Sequence, residues 1–264
     1  MQKLELAFEG VTAHGAPHSG QLGDGMVWSE RIYVYCERGQ DPAFWAEPLN
    51  AATNGAFIIA ALLATWELFR QRKGSACLAE AGLVALVYVI GTGSFLFHTF
   101  ATRWASFADW SPIAVFMLSY LAYVLRRNMG LPWVFVVPLV AAFYGALSWA
   151  GGIECRPALL PVTAEAGAHC LNGTAAYVPA FITLVLLCVI LAFRRHPSWR
   201  YFAAAAGVFL ASMTFRTLDL ELCDLARAFG RPIGTHFLWH ILNAATLYLL
   251  LVAAIRHGRR EAIG

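Results

Sequence analysis

Charged side chains are scarce: only 13% of the 264 residues are Asp, Glu, Lys or Arg, about half the share of an ordinary soluble domain. That scarcity excludes a disordered chain, which stays open because polarity outweighs its apolar surface. The charges nearly balance, at a formal +3. No run of Lys and Arg forms the basic stripe that a nucleic acid requires. The six cysteines are too few for a disulfide-dense secreted module. The sequence also lacks an internal repeat and any linker long enough to separate a second domain.

What abounds is apolar. Hydrophobic residues make up 59% of the chain, and the mean hydropathy is +0.59. A soluble fold of this length cannot enclose so much apolar surface. The sequence therefore reads as an integral membrane protein, all-α, with seven transmembrane helices in one bundle. The spans, each near the ~20 apolar residues that a bilayer core demands, are 49–69, 77–98, 107–125, 132–150, 173–193, 199–217 and 234–255. Residues 1–48 are polar, lack the apolar core of a signal peptide, and read as an arm preceding a bundle domain at 49–264.

Orientation follows from basic residues in the loops. Eleven of the 19 fall after spans 1, 3 and 5 and in the tail, which puts the N-terminus outside and the C-terminus in the cytoplasm. Cys36, Cys155, Cys170 and Cys223 then lie on the oxidising side, where three pairings are possible. Pairs 155–170 and 36–223 are the simplest choice; free thiols are the other reading. The short loops fit a bacterial inner membrane better than a eukaryotic endomembrane.

Polar groups inside a membrane are costly and ask for a reason. Ser94 and His98 are four residues apart and share one helix face near the outer end of span 2. Asp109, eleven residues beyond His98, opens span 3 at the same level. His236 and His240, again four apart, open span 7 there. Alone, each has a plain structural reading: a serine bonded to its own helix, an interfacial histidine, a helix N-terminal acid. Together, three imidazoles fill three corners of a zinc tetrahedron and leave the fourth for water, the pattern of a catalytic site. Asp109 can shuttle a proton, and Ser94 can hold the water or a developing oxyanion.

The set S-x3-H, then D, then H-x3-H at the last span resembles the alkaline ceramidase family, within the wider superfamily that includes the adiponectin and progestin receptors. In order along the chain stand Cys36–Glu37, W-x-E-P-x-N from Trp45 to Asn50, GxGSxxFH from Gly91 to His98, Asp109–Trp110, LD-x3-C from Leu218 to Cys223, and H-x2-WH from His236 to His240. The resemblance implies zinc on His98, His236 and His240, with Ser94 and Asp109 at the attacking water. It implies a Cys36–Cys223 disulfide and hydrolysis of ceramide or a similar lipid amide to a fatty acid and a sphingoid-type base. A seven-span receptor is the alternative, which the short cytoplasmic loops disfavour. The family's calcium site would fall on Glu37 and Glu47, though two of its oxygen-bearing positions are lost here; pairing of these acids with Arg31 or Arg38 is the other reading. Arg216 reads as a snorkelling arginine or a lipid head-group contact, Asp219, Glu221 and Asp224 as a solvated face. Asn50 and Asn54 read as hydrogen-bonding between helices.

Overall fold

A computed structural model describes residues 27–71, 77–154, 160–165, 169–228 and 230–258. The architecture is mostly helical. Helix α1 (Pro48–Thr53) opens with Pro48 at its first position, where the missing N–H is no loss. After a turn at Asn54 it runs into α2 (Gly55–Gln71). Then come α3 (Leu78–Phe100), α4 (Arg103–Tyr123, extended by a π-helical turn over Val124–Asn128), α5 (Trp133–Gly151) and the short α6 (Pro161–Glu165). A 3-10 turn (Thr174–Tyr177) leads into α7 (Val178–Phe193), followed by α8 (Trp199–Thr217) and α9 (His236–His257). Between α8 and α9 lies a small antiparallel ribbon, β1 (Arg227–Ala228) on β2 (Arg231–Pro232).

Six of these segments are long and apolar enough to cross a membrane: Pro48–Gln71, Leu78–Phe100, Arg103–Asn128, Trp133–Gly151, Thr174–Phe193 and His236–His257. They coincide with six of the seven expected spans. The remaining one forms α8, a 19-residue helix whose two arginines, Tyr201, Ser212 and two threonines dilute its apolar run.

The bundle is apolar inside and out, as a membrane demands. Phe57, Phe116, Leu147, Leu191, Phe202 and Leu251 form the interior. Leu62, Trp66, Val134, Leu186 and Phe193 stand exposed on the outer faces.

Glycines set the helix spacing where it matters. A Cβ on Gly91 would stand 2.9 Å from Cβ of Phe57 on α2. A Cβ on Gly93 would collide with the Ala108 carbonyl of α4. Helix α3 thus lies close against both neighbours. It stops at Ala101, whose left-handed backbone (φ 48°) caps it. There the N-terminal segment is sewn in: Ile32 N–H donates to Ala101 O (2.8 Å) and Arg103 N–H to Glu30 O (3.0 Å). At the bundle's other end, Arg256 pairs with Glu67 at 2.7 Å, and the Tyr123 hydroxyl donates to Glu80 at 2.6 Å.

The expected Cys36–Cys223 disulfide is present and binds the N-terminal segment to the α8–α9 connection. Cys170 is also disulfide-bonded, whereas Cys155 lies outside the described residues, as does 1–26 of the expected arm.

Candidate metal centre

Helices α3 and α9 bring His98, His236 and His240 together. One ligand-capable nitrogen from each lies within 4.8 Å of the others. The ring centroids are 5.2 Å apart for His98–His236, 4.6 Å for His98–His240 and 4.7 Å for His236–His240. All three side chains are buried.

Each ring is held by its surroundings. His98 Nδ1 donates to Glu47 Oε2 at 2.5 Å. The Thr53 hydroxyl donates to Leu49 O at 2.8 Å, so toward His240 Nδ1, 3.0 Å away, it acts as acceptor. That leaves Nε2 of both rings as bare lone pairs, and neither has a hydrogen-bond partner among the described residues. His236 Nδ1 is likewise buried and without partner there. Tyr35 stacks on the His236 ring with centroids 3.7 Å apart. Three buried imidazole nitrogens without partners among the described residues, in rings whose ligand atoms cluster within 4.8 Å, fit a metal ion, since such atoms are otherwise costly to leave unsatisfied. A carboxylate behind a ligand histidine is the usual way its tautomer is fixed.

Ser94 of α3 and Asp109 of α4 face each other across the Gly93–Ala108 contact, with Asp109 also within Coulombic reach of His98. Ser94 is buried and Asp109 half-buried. All five expected polar residues therefore share one level of the bundle.

Several side chains behave differently from their sequence reading. Asp219 is not on a solvated face. It is fully buried and accepts the backbone N–H of Cys36 (3.0 Å), Thr235 (2.7 Å) and His236 (2.9 Å), satisfying the first N–H groups of α9. Burial pushes its pKa up, opposed by those three donors. Gly234 (φ 61°) is needed beside it, because a Cβ there would strike Asp219 and Cys36. Glu221 also has a partner, accepting Thr163 N–H at 2.9 Å. Asn50 and Asn54 bond locally, to Glu47 Oε2 (3.1 Å) and to Asn50 O (2.9 Å), rather than between helices. Arg216 does not snorkel; it is buried.

Glu37 and Glu47 both have partners within the chain. Glu37 accepts the N–H groups of Leu49 (2.7 Å) and Asn50 (2.8 Å) at the start of α1; burial raises its pKa against those bonds. Glu47 Oε1 takes Arg38 Nε at 2.5 Å. The other guanidinium nitrogens donate to the carbonyls of Asp41 (3.1 Å), Ala43 (2.9 Å), His98 (2.9 Å) and Thr99 (3.3 Å). A cation is thus already built in beside Glu47. A hard ion seeking six to eight oxygens would have to displace it.

Glu47, Thr53, Asp219 and Tyr35 support the histidines, and sequence reasoning assigned none of them that task. The three-residue spacing of Glu47, Asn50 and Thr53 around one helix start was the available signal. Asp219 gave none, since its partners are distant in sequence.

No curated protein and no solved structure matches this chain. A family model described as Ceramidase matches residues 32–261, a stretch that contains every residue of the histidine site, and the chain belongs to the alkaline ceramidase family.

Proposed function

We propose that the protein is a zinc-dependent membrane amidase that hydrolyses ceramide or a ceramide-like lipid amide to a fatty acid and a sphingoid-type base. The observation that carries this reading is the trio of buried, unpartnered histidine nitrogens beside a serine and a carboxylate. An all-nitrogen donor set with a fourth position open suits catalytic zinc. When bound there, zinc supplies Lewis acidity toward a carbonyl and toward water.

The chain's own residues do the rest. Ser94 holds the attacking water and the developing oxyanion by hydrogen bonding. Asp109 takes a proton from that water as it adds to the amide carbonyl. The C–N bond then breaks, and Asp109 returns the proton to the leaving amine. An apolar cavity of about 90 Å³, lined by Ile113, Phe116, Met117, Phe143, Leu184 and Leu247, suits a segment of an acyl chain. Asn243, on the same cavity wall, is three residues past His240 and so places the wall one turn from the site.

In this reading α8 is the sixth of seven spans, residues 1–48 form a non-cytoplasmic arm on a 49–264 hydrolase domain, and the C-terminus is cytoplasmic. The test is fatty-acid release from ceramide by purified wild type beside Asp109→Asn. Release by wild type, with a fall of about 100-fold or more in the variant and its metal retained, supports it. Unchanged kinetics in the variant would remove Asp109 from the mechanism.

A further inference from the structure

Arg216 closes the last turn of α8. Its side chain is buried, yet no carboxylate among the described residues lies within ion-pair distance of it; Asp109 acts on it only from farther off. Three aromatic faces enclose the guanidinium instead: Tyr35 at 5.7 Å, Tyr177 at 5.5 Å and Trp239 at 5.0 Å from its central carbon. Of its five N–H donors, one reaches the Tyr35 hydroxyl at 3.1 Å. That partner is a phenol, which does not cancel the charge. Arg216 Nε is buried with no hydrogen-bond partner among the described residues.

The turn against it is unsatisfied too. A Cβ on Gly173 would stand 3.2 Å from Nη2, and the flanking Asn172 Oδ1 and Thr174 Oγ1 are buried without partners among the described residues. A buried cation with no carboxylate in contact is costly, and within a membrane bundle such a residue marks a functional site. Its place is beside the metal centre: the Tyr35 ring that it touches is the ring stacked on His236, and Trp239 lies between His236 and His240 in α9.

We propose that Arg216 is the carboxylate-binding residue of this chain, Nε and Nη2 donating to the two oxygens and the Thr174 hydroxyl adding a third bond. The aromatic faces exclude water, which strengthens a charge-assisted pair. This rests on the amidase reading, in which water adds to the carbonyl carbon, the C–N bond breaks, and the acid formed gives its proton to the amine. The carboxylate has two possible sources: the fatty acid released, or an acidic group carried on the amine side of the substrate.

The experiment measures binding to the full-length protein in nanodiscs, wild type beside Arg216→Gln and Arg216→Lys, with metal content and thermal midpoint recorded for each. The probes are laurate against dodecanol, and N-lauroylglycine against N-lauroylethanolamine. Wild type should prefer a carboxylate probe over its neutral match by about 10-fold or more, the gain of one charge-assisted pair. Arg216→Gln should lose that preference and Arg216→Lys should keep part of it. A preference for laurate alone assigns the product as the source; a preference for N-lauroylglycine alone assigns the substrate. Equal binding of each charged and neutral pair by wild type overturns the proposal, and needs no variant to fold. A preference that survives in Arg216→Gln overturns it as well. Binding is read whether or not the amide is cleaved. Arg216-dependent binding without turnover would therefore overturn the amidase reading alone, and turnover without a carboxylate preference would overturn this one alone.

Discussion

Asp219 Oδ1 accepts the backbone N–H of His236 at 2.9 Å, so the first residue of α9 is held by an acid from the end of α8. The second oxygen of the same carboxylate holds Cys36, whose sulfur is bonded to Cys223. One buried acid thus fixes the start of the helix that carries two histidines and the segment that stacks Tyr35 on one of them. Asp219→Ala removes a helix cap and leaves three N–H groups unsatisfied. It should cost about 1–2 kcal/mol of stability and weaken metal retention by about 10–100-fold, read by thermal unfolding and by chelator competition. Asp219→Asn, which keeps one acceptor oxygen, should lose less of both.

Glu47 acts on the metal site from behind. It orients His98 through Nδ1 and is itself fixed by Arg38. Glu47→Gln should lower metal affinity by about 10–100-fold while the helices stay folded by circular dichroism. Because the positive charge next to Glu47 is a side chain, millimolar calcium added to calcium-free buffer should leave wild-type turnover unchanged. A several-fold rise with calcium would show that a cation competes with Arg38.

The Gly93–Ala108 approach is what lets Ser94 meet Asp109. Gly93→Ala should push α3 away from α4 and separate the two groups proposed as catalytic while sparing the histidines. A displacement near 1 Å costs about 100-fold in rate, so kcat should fall steeply with metal content close to wild type. Equal loss of metal and turnover would show that the contact holds the whole site rather than the Ser94–Asp109 pair.

The disulfide closes a sequence separation of 187 residues. Cys36→Ser should lower stability by about 2–5 kcal/mol, seen as a lower thermal midpoint that wild type reproduces under reductant. No shift in either would mean that Asp219 alone secures the N-terminal segment.

Much of this site could be read from one sequence because membranes simplify geometry. Successive spans alternate in direction, so polar residues near the matching ends of spans share a level. Spacing of four then puts Ser94 with His98, and His236 with His240, on single faces. The spans were legible for the same reason, with one exception in kind: α8 has the length but not the apolarity of the others. What local pattern could not give were contacts set by tertiary packing. Asp219 and Cys36 are 183 residues apart, so a buried cap looked like a solvated acid. Arg216 carries the same letters whether it reaches water or turns inward, and the aromatic faces that enclose it come from three separate segments. Glu47 read either as a calcium ligand or as a partner of Arg31 or Arg38, and local pattern could not choose, because Arg38 lies nine residues upstream in irregular backbone with no periodicity to place it.

If His98, His236 and His240 bind one zinc ion, elemental mass spectrometry on protein purified without chelators, wild type beside His240→Ala, should find about one zinc per wild-type chain and a large loss in the variant. Wild-type protein with no zinc, or a variant that retains it in full, would show that the three histidines do not form a zinc site.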